Sequence, residues 1–178
     1  MSDNASVDTL SRQQILAALQ LLARELPTGH PPREIVVVGG AALVLLYDAR
    51  EATKDVDAVI VDRSVLEAAR RVAGHLSLPD DWLNDAAKGY LQGNSIGPVL
   101  FTSDTLLVRT LAAHHLLAMK LSSWRDDGDN YDARLLLSHL AGDMDAVWAL
   151  VEPHLLPGRE LKARYAFEDL WEVLRGSP

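Results

Sequence analysis

Residues 36–60 read VVVGGAALVLLYDAREATKDVDAVI, and two short pieces inside this stretch carry most of the information. The first is Val38-Gly39-Gly40-Ala41. It ends a β-branched run over 34–38, which reads as a short buried strand, and it precedes 41–48, which has helical composition. A glycine pair between strand and helix lets the backbone approach a ligand closely. The helix start beyond it offers unpaired N–H groups to an anion. The second piece, Asp55-Val56-Asp57-Ala58, follows after a gap of thirteen residues and opens a second strand over 55–61. Strand side chains alternate, so Asp55 and Asp57 share one face, with Cα atoms roughly 6–7 Å apart. Two carboxylates held that close repel one another unless a divalent cation lies between them. Magnesium takes one or two carboxylates and completes its shell with phosphate oxygens. Two such ions about 3.5–4 Å apart serve in-line phosphoryl transfer.

Outward from this stretch, apolar residues at Ile15, Leu16, Leu19, Leu22 and Leu26 predict a helix over 6–26. The breaker-rich loop 27–32 leads into the first strand. Ser64, with Glu67 three residues on, predicts a capped helix to about residue 73. Residues 74–97 hold four of the eleven glycines and one proline, and read as loop with a short helix near 80–87. Two short strands are expected at 99–101 and 106–109, around a turn at Ser103-Asp104. Helices are expected from 111 to 124, to about 140 after the acidic loop 126–132, over 143–151, and over 160–174. The predicted class is α+β with an α/β-like centre: a small mixed sheet, an N-terminal helix and a helical C-terminal half. The expected organisation is a core over 1–110 and a helical subdomain over 111–178 packed on it.

With 178 residues, 48% hydrophobic and 24% charged, the chain is long enough to bury a core without staples. It contains no cysteine, which excludes disulfides, thiolate metal sites and cysteine nucleophiles. The formal net charge of −8 is the opposite of what a free-standing nucleic-acid binder carries, and no DNA partner is expected. The N-terminal residues have no apolar core of a signal peptide. The longest apolar run, 35–47, falls short of the about 20 residues a bilayer requires. The expectation is a cytoplasmic protein without a membrane partner.

Taken together, the glycine pair and the Asp55-Val56-Asp57-Ala58 element resemble the signature of the DNA polymerase β-type nucleotidyltransferase superfamily. The surrounding text is similar to its AbiEii-type branch, the nucleotidyltransferase-like toxins of toxin–antitoxin and phage-abortive systems. Downstream, Leu117-Ala118-Met119-Lys120-Leu121 followed by Arg125, Asp129 and Asp132 looks like that branch's lysine–leucine, arginine, D-x-x-D pattern. The resemblance implies a nucleotidyltransferase fold that moves a nucleoside monophosphate from an NTP to an RNA, such as a tRNA end, or to a protein hydroxyl. It implies magnesium (or manganese) on Asp55 and Asp57, with Asp129 as a further metal ligand, and triphosphate at Gly39, Gly40 and Ala41. It also implies that Lys120 and Asp132 complete the catalytic set, that Arg125 forks onto phosphate, and that an antitoxin is a partner. Any RNA contact would use local arginines such as Arg50, Arg125 or Arg134.

Two departures stand against the pattern. Ala41 replaces the usual glycine or serine, so a hydroxyl contact is lost while the backbone N–H remains. The strand expected to carry a third carboxylate has none, and Asp104 lies in the turn beyond it. Either Asp129 or Asp132 substitutes, or the metal site is incomplete, in which case the chain is a nucleotide-binding or interaction module of the same fold. Simpler roles compete elsewhere. Lys120 can be a snorkelling lysine, Arg125 can pair with Asp127 or Asp129, and Asp129 can cap a helix in which Asp132 is the third residue. The run 126–132 lacks the spacing of a calcium loop. His114-His115 show no partner at helical spacing, so zinc is not expected. Arg134 and His139 have the R-x-x-x-x-H spacing of a metal-independent ribonuclease, but Arg109 and His114 share it. The four tryptophans are read as core or interface anchors.

Overall fold

The computed structural model describes residues 9–47, 51–124 and 130–176. The chain divides into two compact units, residues 1–88 with 98–110, and residues 89–97 with 111–178.

In the first unit the elements are β1 (Leu10–Ser11), α1 (Arg12–Glu25), β2 (Arg33–Val37), α2 (Gly39–Tyr47), β3 (Ala52–Thr53), β4 (Val56–Ile60), α3 (Arg63–Leu76), β5 (Leu83–Asn84), β6 (Val99–Thr102) and β7 (Leu106–Thr110). Five strands form one mixed sheet in the order β5-β4-β2-β7-β6, and β1 pairs separately with β3. β2 is central: it runs antiparallel to β4, with Val36 opposite Val59, and parallel to β7, with Val36 opposite Arg109. One face of the sheet is sealed by Ile35, Val37, Val56, Ala58, Ile60, Leu106 and Val108, all buried. The alternate residues, Val36, Asp57, Val59, Leu107 and Arg109, form the half-buried opposite face. This is the α+β class expected from the pattern of strands and helices.

Several local expectations are corrected. Of the first helix expected over 6–26, residues 6–8 lie outside the described residues, and α1 begins at Arg12, because Ser11 and Gln14 close a reciprocal capping box there. Ser64 is not the cap of α3. Asp62 is, its carboxylate accepting the Ser64 N–H at 2.9 Å, while the Ser64 hydroxyl accepts from the Arg33 guanidinium at 3.0 Å. The helix also continues to Leu76. The short helix expected near 80–87 is instead the two-residue strand β5, followed by a 3-10 turn at Ala86–Tyr90. Trp82 explains the difference. Its fully buried indole donates to the Ala69 carbonyl at 2.9 Å, and its own carbonyl accepts the Val56 N–H at 2.7 Å, which holds the segment extended beside β4.

The second unit contains α4 (Ala113–Ser122), α5 (Asn130–Ser138), α6 (Met144–Val151) and α7 (Glu160–Arg175), with a 3-10 turn at Glu152–His154. α4 packs against the other three helices. Phe167 lies between Trp148 and Trp171, at ring-centroid distances of 5.2 and 5.8 Å. Arg164 and Arg175 cover the two tryptophans as cation–π partners. Segment 89–97 belongs to this unit through polar side chains. The Ser95 hydroxyl accepts the Ala112 N–H at 3.1 Å and lies 3.1 Å from His115 Nδ1, and His154 Nδ1 donates to the Gln92 carbonyl at 2.9 Å.

Candidate functional site

The site is built where β2 ends and β4 begins. Val38 N–H donates to the Asp57 carbonyl at 2.9 Å, so the chain turns into α2 directly beside the acidic strand. Gly39 makes that turn with φ +61, a left-handed conformation that side chains resist. A Cβ on Gly39 would stand 3.6 Å from Asp57 Oδ2. The glycine therefore does two things: it permits the turn, and it leaves the carboxylate uncovered. Gly40 and Ala41 lie in the first turn of α2, whose leading N–H groups have no partner within the helix. Ala41 itself is buried against the core.

Asp55 and Asp57 alternate with buried Val56 and Ala58, as strand geometry requires, so both carboxylates avoid the sealed face. They are close enough to repel. Burial, then the charges of Asp57 and Asp81, raise the Asp55 pKa, while a hydrogen bond from Asn84 and the charge of Lys54 lower it. Asn84 Nδ2 donates to Asp55 Oδ2 at 3.2 Å. The Thr53 hydroxyl donates to the Asp55 carbonyl at 3.2 Å and steadies the approach to the strand. Among the described residues the Asp57 carboxylate makes no hydrogen bond or ion pair. Asn84 escaped the sequence reading because a two-residue edge strand has no periodicity to reveal it.

This donor set suits a hard divalent cation. Two carboxylates, one with a single oxygen already engaged and the other uncovered, match magnesium or manganese completing its shell with phosphate and water. Nitrogen and sulfur ligands for a softer metal are not in the set. No group of three or more histidine or carboxylate side chains arranged for a metal occurs among the described residues.

The remaining candidates divide between the second unit and the undescribed segments. Lys120 Nζ lies 2.9 Å from Asp132 Oδ2, with Asp132 fully buried, so these two residues meet each other across α4 and α5. Asp132 is in the first turn of α5. Arg125, Asp127 and Asp129, named as phosphate, pairing and metal residues, and Arg50, named as an RNA contact, lie outside the described residues. Arg134 is within α5, with a buried Nε that has no hydrogen-bond partner among the described residues. His139 follows that helix and donates from Nδ1 to the Leu135 carbonyl at 2.8 Å. A histidine grouping that spacing did not reveal is present: the His115 ring stacks on His154 at 4.0 Å, with His114 5.3 Å from His154. Burial, and secondarily the charges of His154 and His114, push the His115 pKa down to about 4.

No curated protein and no solved structure is significantly similar to the chain. A family model does match, over residues 14–153, which contain the glycine turn, both strand carboxylates and the Lys120–Asp132 pair. The match spans the strand–glycine–helix turn and the paired-carboxylate strand beside it, and the chain belongs to the family described as nucleotidyltransferase of unknown function (DUF6036).

Proposed function

We propose that this chain transfers a nucleoside monophosphate from an NTP to a hydroxyl of an RNA, such as a tRNA end, or of a protein, using a divalent cation held by Asp55 and Asp57. The observation that carries the reading is the uncovered Asp57 carboxylate facing the bare Gly39 turn. The turn's N–H groups receive phosphate oxygens, and the absence of a side chain lets the phosphate approach the carboxylate side. The acceptor hydroxyl gives its proton to solvent as its oxygen bonds to the α-phosphorus, the bond from that phosphorus to the α,β-bridging oxygen breaks, and pyrophosphate leaves with that electron pair. The cation, magnesium or manganese, supplies neutralisation of phosphate charge as it develops. Asp55 and Asp57 orient the bound nucleotide, so the protein's contribution is positioning and electrostatics. A toxin role restrained by an antitoxin, as in the AbiEii-type branch, is part of the proposal and rests on the resemblance in sequence.

The test is incubation of purified protein with α-labelled NTPs, magnesium or manganese, and total tRNA. Label should enter RNA or protein, and Asp57→Ala should reduce incorporation by about a hundredfold or more. Incorporation that persists in both Asp57→Ala and Asp55→Ala contradicts the assignment. One observation favours a second reading, a nucleotide-binding module without transfer: Lys120 and Asp132 are engaged with each other, and no third metal-ligating group joins Asp55 and Asp57 among the described residues. Saturable NTP binding without incorporation selects that reading. RNA cleavage in EDTA that disappears in His139→Ala would instead select the ribonuclease chemistry of Arg134 and His139.

A further inference from the structure

Asn84 is paired with Asp57 across β4 and β5, so it lies at the edge of the acidic strand. Both ends of its side chain are committed. Its Oδ1 accepts the Ala86 N–H at 3.1 Å, and its Nδ2 donates to Asp55 Oδ2 at 3.2 Å. The orientation of the amide follows from chemistry. A backbone N–H can only donate, so the oxygen must face Ala86. A carboxylate can only accept, so the NH2 must face Asp55. Reversing the amide would lose both bonds and set oxygen against oxygen. The strand below is equally constrained, because the buried Trp82 carbonyl and the Val56 N–H join β5 to β4 at 2.7 Å. Asn84 is therefore a rigid donor aimed at one oxygen of one carboxylate.

We propose that Asn84 is a positioning residue for the cation site: by engaging Asp55 Oδ2 it orients the carboxylate to meet a divalent cation through its other oxygen. The proposal rests on the reading that Asp55 and Asp57 hold the cation. It extends that reading, because an Asn84 that merely starts the following 3-10 turn would need only its Oδ1. Outer groups that orient metal ligands are worth about 10–100-fold in metal affinity, and a ligand free to rotate loses that much of its preorganisation.

Asn84→Ser separates the two roles. A serine hydroxyl can still accept the Ala86 N–H and keep the turn, but it is too short to donate to Asp55. Asn84→Ala removes both functions. Mn2+ binding to the full-length protein is read by electron paramagnetic resonance of the free ion, well below the melting temperature, with water-proton relaxation reporting the water retained by the bound ion. Asn84→Ser should bind Mn2+ about tenfold more weakly and leave more water on the ion that does bind, while its metal-free melting temperature stays near that of the wild type. Asn84→Ala should show the same weakening together with a lower melting temperature. Wild-type affinity and wild-type relaxation in Asn84→Ser overturn the proposal and leave Asn84 as a turn cap. No Mn2+ binding by the wild-type protein, or undiminished binding in Asp57→Ala, overturns the cation site and this proposal with it. Loss of binding in Asp57→Ala with none in Asn84→Ser overturns the proposal alone.

Discussion

Replacing Gly39 by alanine probes the turn through two effects that can be separated. Gly39 has φ +61, and the left-handed region costs an L-residue about 1–2 kcal/mol. The added methyl meets Asp57 Oδ2 at 3.6 Å, an ordinary contact, so no steric clash adds to that cost. For a chain of this size the expected fall in melting temperature is about 2–8 °C. The second effect is local: the methyl occupies the space beside the carboxylate that a cation and phosphate would use. Gly29 provides the control. Its φ is +82, and a Cβ there meets nothing within 4 Å, so Gly29→Ala has the same kind of conformational cost away from Asp57. Both variants should lose comparable stability in urea titrations. Only Gly39→Ala should weaken Mn2+ and NTP binding, by about tenfold if roughly 1.4 kcal/mol of binding is lost. Equal binding by the two variants would refute the claim that the bare glycine clears space at Asp57.

Two further outcomes follow from the second unit. His115 is fully buried, and its pKa is held near 4 against an ordinary 6.5, so the unfolded chain binds the extra proton in that interval. The stabilisation is complete above about pH 6.5 and is lost as pH falls toward 4. Between about pH 7.5 and pH 4.5 urea unfolding should show ~2.5 kcal/mol more loss in wild type than in His115→Gln, and parallel pH profiles would contradict the burial argument. Lys120→Ala deprives the buried Asp132 carboxylate of its cation and should cost about 3 kcal/mol; the double variant Lys120→Met/Asp132→Leu should recover most of it. A change below about 0.5 kcal/mol in Lys120→Ala would show that the pair contributes little to the helical unit.

Much of the site was readable because strand geometry is local. Alternation alone puts Asp55 and Asp57 opposite Val56 and Ala58, and the β-branched run before Gly39 requires a strand that stops there. The strands expected at 34–38, 55–61, 99–101 and 106–109 appear within a residue or two of those bounds. What failed to show depends on contacts between distant residues. β5 is extended because Trp82 is anchored to Ala69 and Val56, not because Leu83-Asn84 has strong strand character. Asp62 and Ser64 can both cap a helix, and Arg33, far back in the chain, occupies the serine hydroxyl. Segment 89–97 looks like loop, yet Ser95 and Gln92 tie it to His115 and His154. The Lys120–Asp132 pair brings together residues on two different helices, which spacing within either helix cannot reveal.

The most direct test of the account is a crystal structure of the protein with Mn2+ and a non-hydrolysable NTP analogue, read by anomalous scattering. The account predicts a manganese peak within bonding distance of Asp55 and Asp57, with the triphosphate on the N-terminal turn of α2 at Gly39 and Gly40. A nucleotide bound elsewhere, or a fully occupied manganese site that touches neither aspartate, would contradict it.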